Sequence, residues 1–149
     1  MDNFRLSNRI TNIAFIVIIL SCLSCASISS FDQYAYAQTT SVKVDALNLM
    51  DMAIEDFSTH QASVSGFQTK LQKVYSYEKN RPKNEITIKL WDKIIDPNGH
   101  LLGGFINRWE KEKKLNATFI SEEKKLVDAA FDQIAGLESK KNKPKDIAN

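Results

Sequence analysis

The chain has 149 residues, with 20 lysines and arginines against 18 aspartates and glutamates, a formal net charge of +2. So even a balance speaks against a strongly basic nucleic-acid binder and against an acidic, solvating chain. Apolar side chains make up 43% of the whole, but residues 1–37 hold 22 of the 64, so an apolar leader and a polar remainder are read separately.

In the leader, Arg5 and Arg9 precede the uninterrupted apolar run Ile13 to Leu20. A basic end, a short apolar stretch and a small-x-small site are the three parts of a secretory signal. Ala35 and Ala37 place cleavage before Gln38, and Ser24 with Ala26 offers an alternative before Ser27. The chain then divides into a signal peptide over 1–37, a helical domain over 38–138 and a basic disordered tail over 139–149. Residues 10–28 kept as an anchor are the competing reading, although their mostly apolar part falls short of the roughly 20 residues that span a bilayer core. Cys22 and Cys25 lack the neighbours that lipid attachment requires. Both cysteines sit in the leader, so the exported part has no disulfide, thiolate metal site or cysteine nucleophile.

From Val42 the spacing becomes helical, with Leu47, Met50, Ile54 and Phe57 on one stripe and Val64, Phe67, Leu71 and Val74 on another. One helix over 42–79 would be about 57 Å long, so a turn is expected near 58–60, where Ser58 and Gln61 fit a capping box. Arg81-Pro82-Lys83 stops the second helix. Ile86 to Ile95 alternates at first like a strand, but the full count places Ile86, Ile88, Leu90, Trp91, Ile94 and Ile95 on one helical face, with Asn84 as N-cap. Asp96-Pro97-Asn98-Gly99 reads as a tight turn. Leu101, Leu102, Phe105, Ile106 and Trp109 form the next stripe, with Gly103 and Gly104 marking close approach of a neighbouring backbone. Ser121 is expected to cap a last helix whose stripe is Leu126, Val127, Ala130, Phe131, Ile134 and Leu137. The expectation is an all-α fold, a small bundle of four or five amphipathic helices.

The chemical inventory is thin. His60 and His100 begin no metal pattern, and Asp56 with His60 is read as a solvated pair. Asp92, Asp96, Asn98 and Gly99 fail the calcium-loop register, because Ile94 and Phe105 would fall at ligand positions. No glycine-rich phosphate loop or G-x-S-x-G is present. Catalytic, cofactor-binding and metal residues are therefore expected to be none, and no cofactor is expected. Residues 42–58 are net −3 and residues 70–93 net +4, so acidic and basic faces are expected to meet within one chain or between copies. The basic stretch also suits proximity to a membrane surface. Tyr75 and Tyr77 beside lysines do not outweigh the even charge, and no nucleic acid is expected as a partner. Trp91 and Trp109 are read first as core residues and second as candidate partner contacts. Asn116-Ala117-Thr118 matches the glycan acceptor pattern. The functional expectation is an exported, disulfide-free binding or interaction protein, secreted or held at the cell envelope, acting on an unknown protein partner or on itself. A membrane-tethered accessory subunit with residues 10–28 as anchor is the alternative, and a hydrolase or metal enzyme ranks behind both.

Overall fold

The computed structural model describes residues 28–141. Apolar residues recurring every three or four positions give five α-helices and one 3-10 turn, with no strand among the described residues. We label the helices α1 (Gln33–Asp51), α2 (Phe57–Lys79), α3 (Glu85–Ile95), α4 (Leu102–Glu112) and α5 (Ala117–Ser139), with the 3-10 turn Met52–Ile54 after α1. The apolar leader run and residues 142–149 lie outside the described residues.

Ion pairs and hydrogen bonds between helices set their directions. Lys124 meets Asp51 at 2.5 Å, Lys43 meets Asp128 at 2.8 Å and Asp132 at 2.6 Å, and the Asp32 amide meets Glu138 at 2.8 Å. Numbers fall along α1 as they rise along α5, so the two run antiparallel. Lys70 with Asp45 and Tyr77 with Asp32 give the same relation between α1 and α2. Lys70 with Asp45 joins the acidic stretch of α1 to the basic stretch of α2 within one chain. The third rod of the bundle is broken, with α3 starting at the end of α2 and α4 finishing near its start, where the Trp109 indole donates to the Glu55 carbonyl at 3.0 Å. The long rods span about 35 Å.

Small residues carry the inner face of α1: Ala35, Thr39, Val42, Ala46 and Leu49 are buried four or three positions apart. This face starts ahead of Gln38, so the folded unit is longer than 38–138 at its front. Asp32 supplies the N-cap, accepting from the amides of Tyr34 and Ala35. The break between α1 and α2 lies at residues 52–56 rather than 58–60, because Asp56 is the cap and accepts from the Ser58 amide at 3.0 Å. Two backbone bonds pin this corner, from Phe57 to Lys113 and from Leu115 to Ala53, each 2.8 Å. Likewise α5 starts at Ala117 and is capped by Asn116, whose side chain accepts from Phe119 at 2.8 Å, and Ser121 lies inside the helix.

The core runs through all five helices. Trp91 packs edge to face on Phe131 with ring centres 5.6 Å apart, and Trp109 on Phe57 at 5.2 Å. Both indoles are 0% exposed, so neither is offered to a partner. Each buries roughly 200 Å² and anchors its half of the broken rod. Ile86 and Leu126, expected on inner faces, are exposed, while Thr87 and Val127 beside them face inward.

Between α3 and α4 the turn forms as its residues dictate, with the Gly99 amide donating to the Asp96 carbonyl at 3.0 Å and the Asn98 amide to the Asp96 carboxylate at 2.9 Å. A Cβ on Gly104 would stand 1.9 Å from the Gly99 carbonyl oxygen, and one on Gly103 2.3 Å from that of Ile95. The broken rod can fold back onto its turn only without those atoms. Gly66, in mid-α2, has nothing within 4 Å of such a Cβ. Urea unfolding is expected to separate the two sites: Gly104→Ala loses about 3 kcal/mol by overpacking, and Gly66→Ala gains about 0.5–1 kcal/mol from helix propensity.

Candidate functional site

Two carboxylates lie where the apolar stripes of their helices end. In α2 the buried series Val64, Phe67, Leu71, Val74 continues to Glu78, and in α5 Val127, Phe131, Ile134 continues to Glu138. Burying a carboxylate is costly unless it is paired and hydrogen-bonded. Here Arg81 pairs both. Its guanidinium donates to Glu138 through Nη2 at 2.8 Å and Nη1 at 3.1 Å, and to Glu78 at 2.9 Å. The arginine side chain itself is only 8% exposed. Lys141 adds the second cation, donating to Glu138 at 2.6 Å and to the Ser29 hydroxyl at 2.6 Å.

Asn84 closes the group from the loop after α2. Its amide donates to the Glu78 carboxylate at 2.6 Å and to the Glu78 carbonyl at 2.9 Å, and its side-chain oxygen accepts from Ser29 at 2.9 Å. It precedes α3 as expected but makes no capping bond to it, because its polar atoms are taken up in this cluster. The Ser29 amide donates to the Lys83 carbonyl at 2.8 Å, which a positive φ of 59° at Lys83 turns toward it. Asp32 joins through its amide on Glu138 and through its carboxylate on Tyr77. The result is a clasp of two buried anions and two buried cations, tying the lead-in before α1 to the ends of α2 and α5. Lys141 is thus part of the fold, and the ordered unit extends past the expected limit at residue 138.

The charges respond to this setting. Burial works against the Arg81 cation, but the Glu138 and Glu78 carboxylates outweigh it and raise its pKa further above the ordinary value. For Glu138, burial pushes the pKa up, and Arg81, Lys141 and the Asp32 amide together bring it below the usual range. Asp32 is also lowered, burial being overcome by its bonds from Tyr77, Ala35 and Tyr34 and by Arg81. Arg81, Glu138 and Asp32 are each favoured in the charged form by their neighbours in the clasp. The arrangement is an interlock of paired, hydrogen-bonded charges.

The other sequence candidates are dispersed. Ala35 is buried in the first turn of α1, and Ala37 is exposed beside the half-buried Gln38. His60 bonds Glu55 at 2.8 Å, not Asp56, and its ring lies 5.7 Å from that of Trp109. His100 is exposed in the turn before α4. Asn116 is exposed. Among the described residues, no group of three or more His, Cys, Asp or Glu stands close enough to share a metal ion. A groove of about 450 Å³ lies between α2 and the α3–α4 turn. Ser65, Gln68, Thr69, Gln72 and Tyr75 line it above an apolar floor of Leu71, Ile95 and Ile106, with Pro97 exposed at its edge and no charged residue in the lining.

Three outcomes test the clasp. Removing one charge strands its partners, so Glu138→Gln is expected to lose about 3 kcal/mol at pH 7 by urea unfolding. The pKa values of Glu138 and Asp32 are lower folded than unfolded, so the unfolded chain binds more protons in acid. Stability present at neutral pH is therefore lost as pH falls through the ordinary carboxylate range and on toward the folded values, and Glu138→Gln flattens that decline. A chain starting at Gln38 loses Ser29, Asp32 and Ala35, and is expected to melt roughly 10 °C below a chain starting at Ser27, the shift given by 2–3 kcal/mol.

Comparison with protein-family models, with curated proteins and with solved structures returns no match for this chain. What it does has to be argued from its own residues.

Proposed function

We propose that this chain is an exported helical interaction module that works by binding, through the uncharged groove between α2 and the α3–α4 turn. The groove carries the reading. Its rim offers hydroxyl and amide groups from Ser65, Thr69, Gln68 and Gln72, and its floor is aliphatic. That combination suits an extended segment of protein, which presents backbone hydrogen bonds and apolar side chains together. The buried ionisable groups of the clasp are occupied with one another, which supports binding over bond-making.

A second reading, the tethered accessory subunit with residues 10–28 kept as an anchor, is favoured by one observation. Ser29, Asp32 and Ala35 are built into the bundle, so a cut before Gln38 would remove the first turn of α1 and the Ser29 and Asp32 bonds to the clasp. A cut before Ser27, or no cut, leaves the domain whole.

A photo-crosslinking side chain at Gln72, with a control at exposed Glu110, tests the groove in the protein's own envelope. A discrete adduct from position 72 alone is expected, and its mass tells a partner from a second copy. No adduct, or equal adducts from both positions, would contradict the groove as the contact.

A further inference from the structure

The end of the bundle that holds the clasp also holds most of the exposed apolar surface. Of nine large hydrophobic side chains left exposed among the described residues, five stand there: Ile28, Tyr34, Tyr36, Tyr77 and Ile86. They come from the lead-in, the first turn of α1, the last turn of α2 and the first turn of α3. Tyr34 and Tyr77 meet edge to face with ring centres 4.9 Å apart, so the patch is continuous across two helices. Exposed Lys79, Lys83 and Lys140 share this end, with Glu85 as an exposed anion beside them.

The leader enters at this same end. Seven residues, 21–27, lie between Leu20, the last of the apolar run, and Ile28, a reach of at most about 28 Å for extended chain. That is less than the length of the bundle, so an anchor in the bilayer keeps this end close to the headgroups. Lys141, hydrogen-bonded to Ser29, starts the lysine-rich tail from the same place. Tyrosines at the level of the headgroups and lysines facing anionic lipid are the usual composition of a membrane-facing surface.

We infer that the clasp end of the bundle docks on an anionic membrane surface, with its tyrosines and isoleucines at headgroup level and Lys79, Lys83 and Lys140 on the headgroups. The inference rests on the tethered reading. The test uses the full chain, made cell-free into lipid nanodiscs, with Cys22→Ser and Cys25→Ser and one spin label at a time. Labels replace Tyr36 and Ile86 at the docking end, and Ile54 and Leu126 elsewhere.

In discs containing phosphatidylglycerol, labels 36 and 86 are expected to collide with an aqueous nickel chelate at least about threefold less than labels 54 and 126. The contrast is expected to shrink in phosphatidylcholine alone, and an undiminished contrast there would overturn the role given to the lysines. A chain that enters the discs with four equally water-exposed labels would overturn the docking while sparing the tether. One that never enters them would sink the tethered reading, and the inference with it.

Discussion

The bidentate contact between Arg81 and Glu138 is the constraint on which the closed end of the bundle depends. It joins a loop after α2 to the last turn of α5 across the mouth of the core. An arginine fork suits a buried carboxylate because two parallel bonds fix both planes. Glu78, Lys141 and Asn84 then satisfy what remains of the two ions, so the two carboxylates and two cations of the cluster balance. A buried ionic group of this kind adds less stability than well-packed apolar residues would, but it admits few alternative arrangements. Its role here is register: the Ser29 hydroxyl and Asp32 amide can find these partners in only one placement of the lead-in.

Much of the fold is legible in the chain. The helical periods of α2, α3, α4 and α5 are plain, as are the stop at Pro82, the turn Asp96–Gly99 and the two crowded glycines. The front of α1 is not, because its buried face is made of Ala35, Thr39 and Ala46, side chains too small or too polar to register as an apolar stripe. The same small alanines fit a cleavage site, and the two meanings compete for the same residues. Helix starts at Phe57 and Ala117 are displaced from the expected ones for another reason. Asp56 and Asn116 each stand a few residues ahead of a serine that is equally able to cap, and tertiary bonds at Phe57 and Leu115 decide between them.

The clasp itself left a signal of a less familiar kind. Glu78 and Glu138 each occupy the next position of an apolar stripe, where a charge has no business unless a partner waits for it. One such carboxylate is easily dismissed as the polar end of a helix. Two of them, with a proline-flanked arginine and a lysine beyond the second, are the trace that a buried network leaves in a sequence. What cannot be read from the chain is which cation meets which anion, since that depends on the antiparallel pairing of helices 57 residues apart in sequence.

The arrangement also bears on the proposed export. A cut before Gln38 would remove the Ser29 and Asp32 partners of the clasp, and the proposed docking end is where the described residues begin and end, at Ile28 and Lys141. Amide hydrogen exchange of the full chain tests the lock most directly. The Ser29 and Asp32 amides, bonded to Lys83 and Glu138, are predicted to exchange as slowly as core amides of α5, through global unfolding alone. Exchange of those two amides at the rate of an open chain, with the α5 core still protected, would contradict the account.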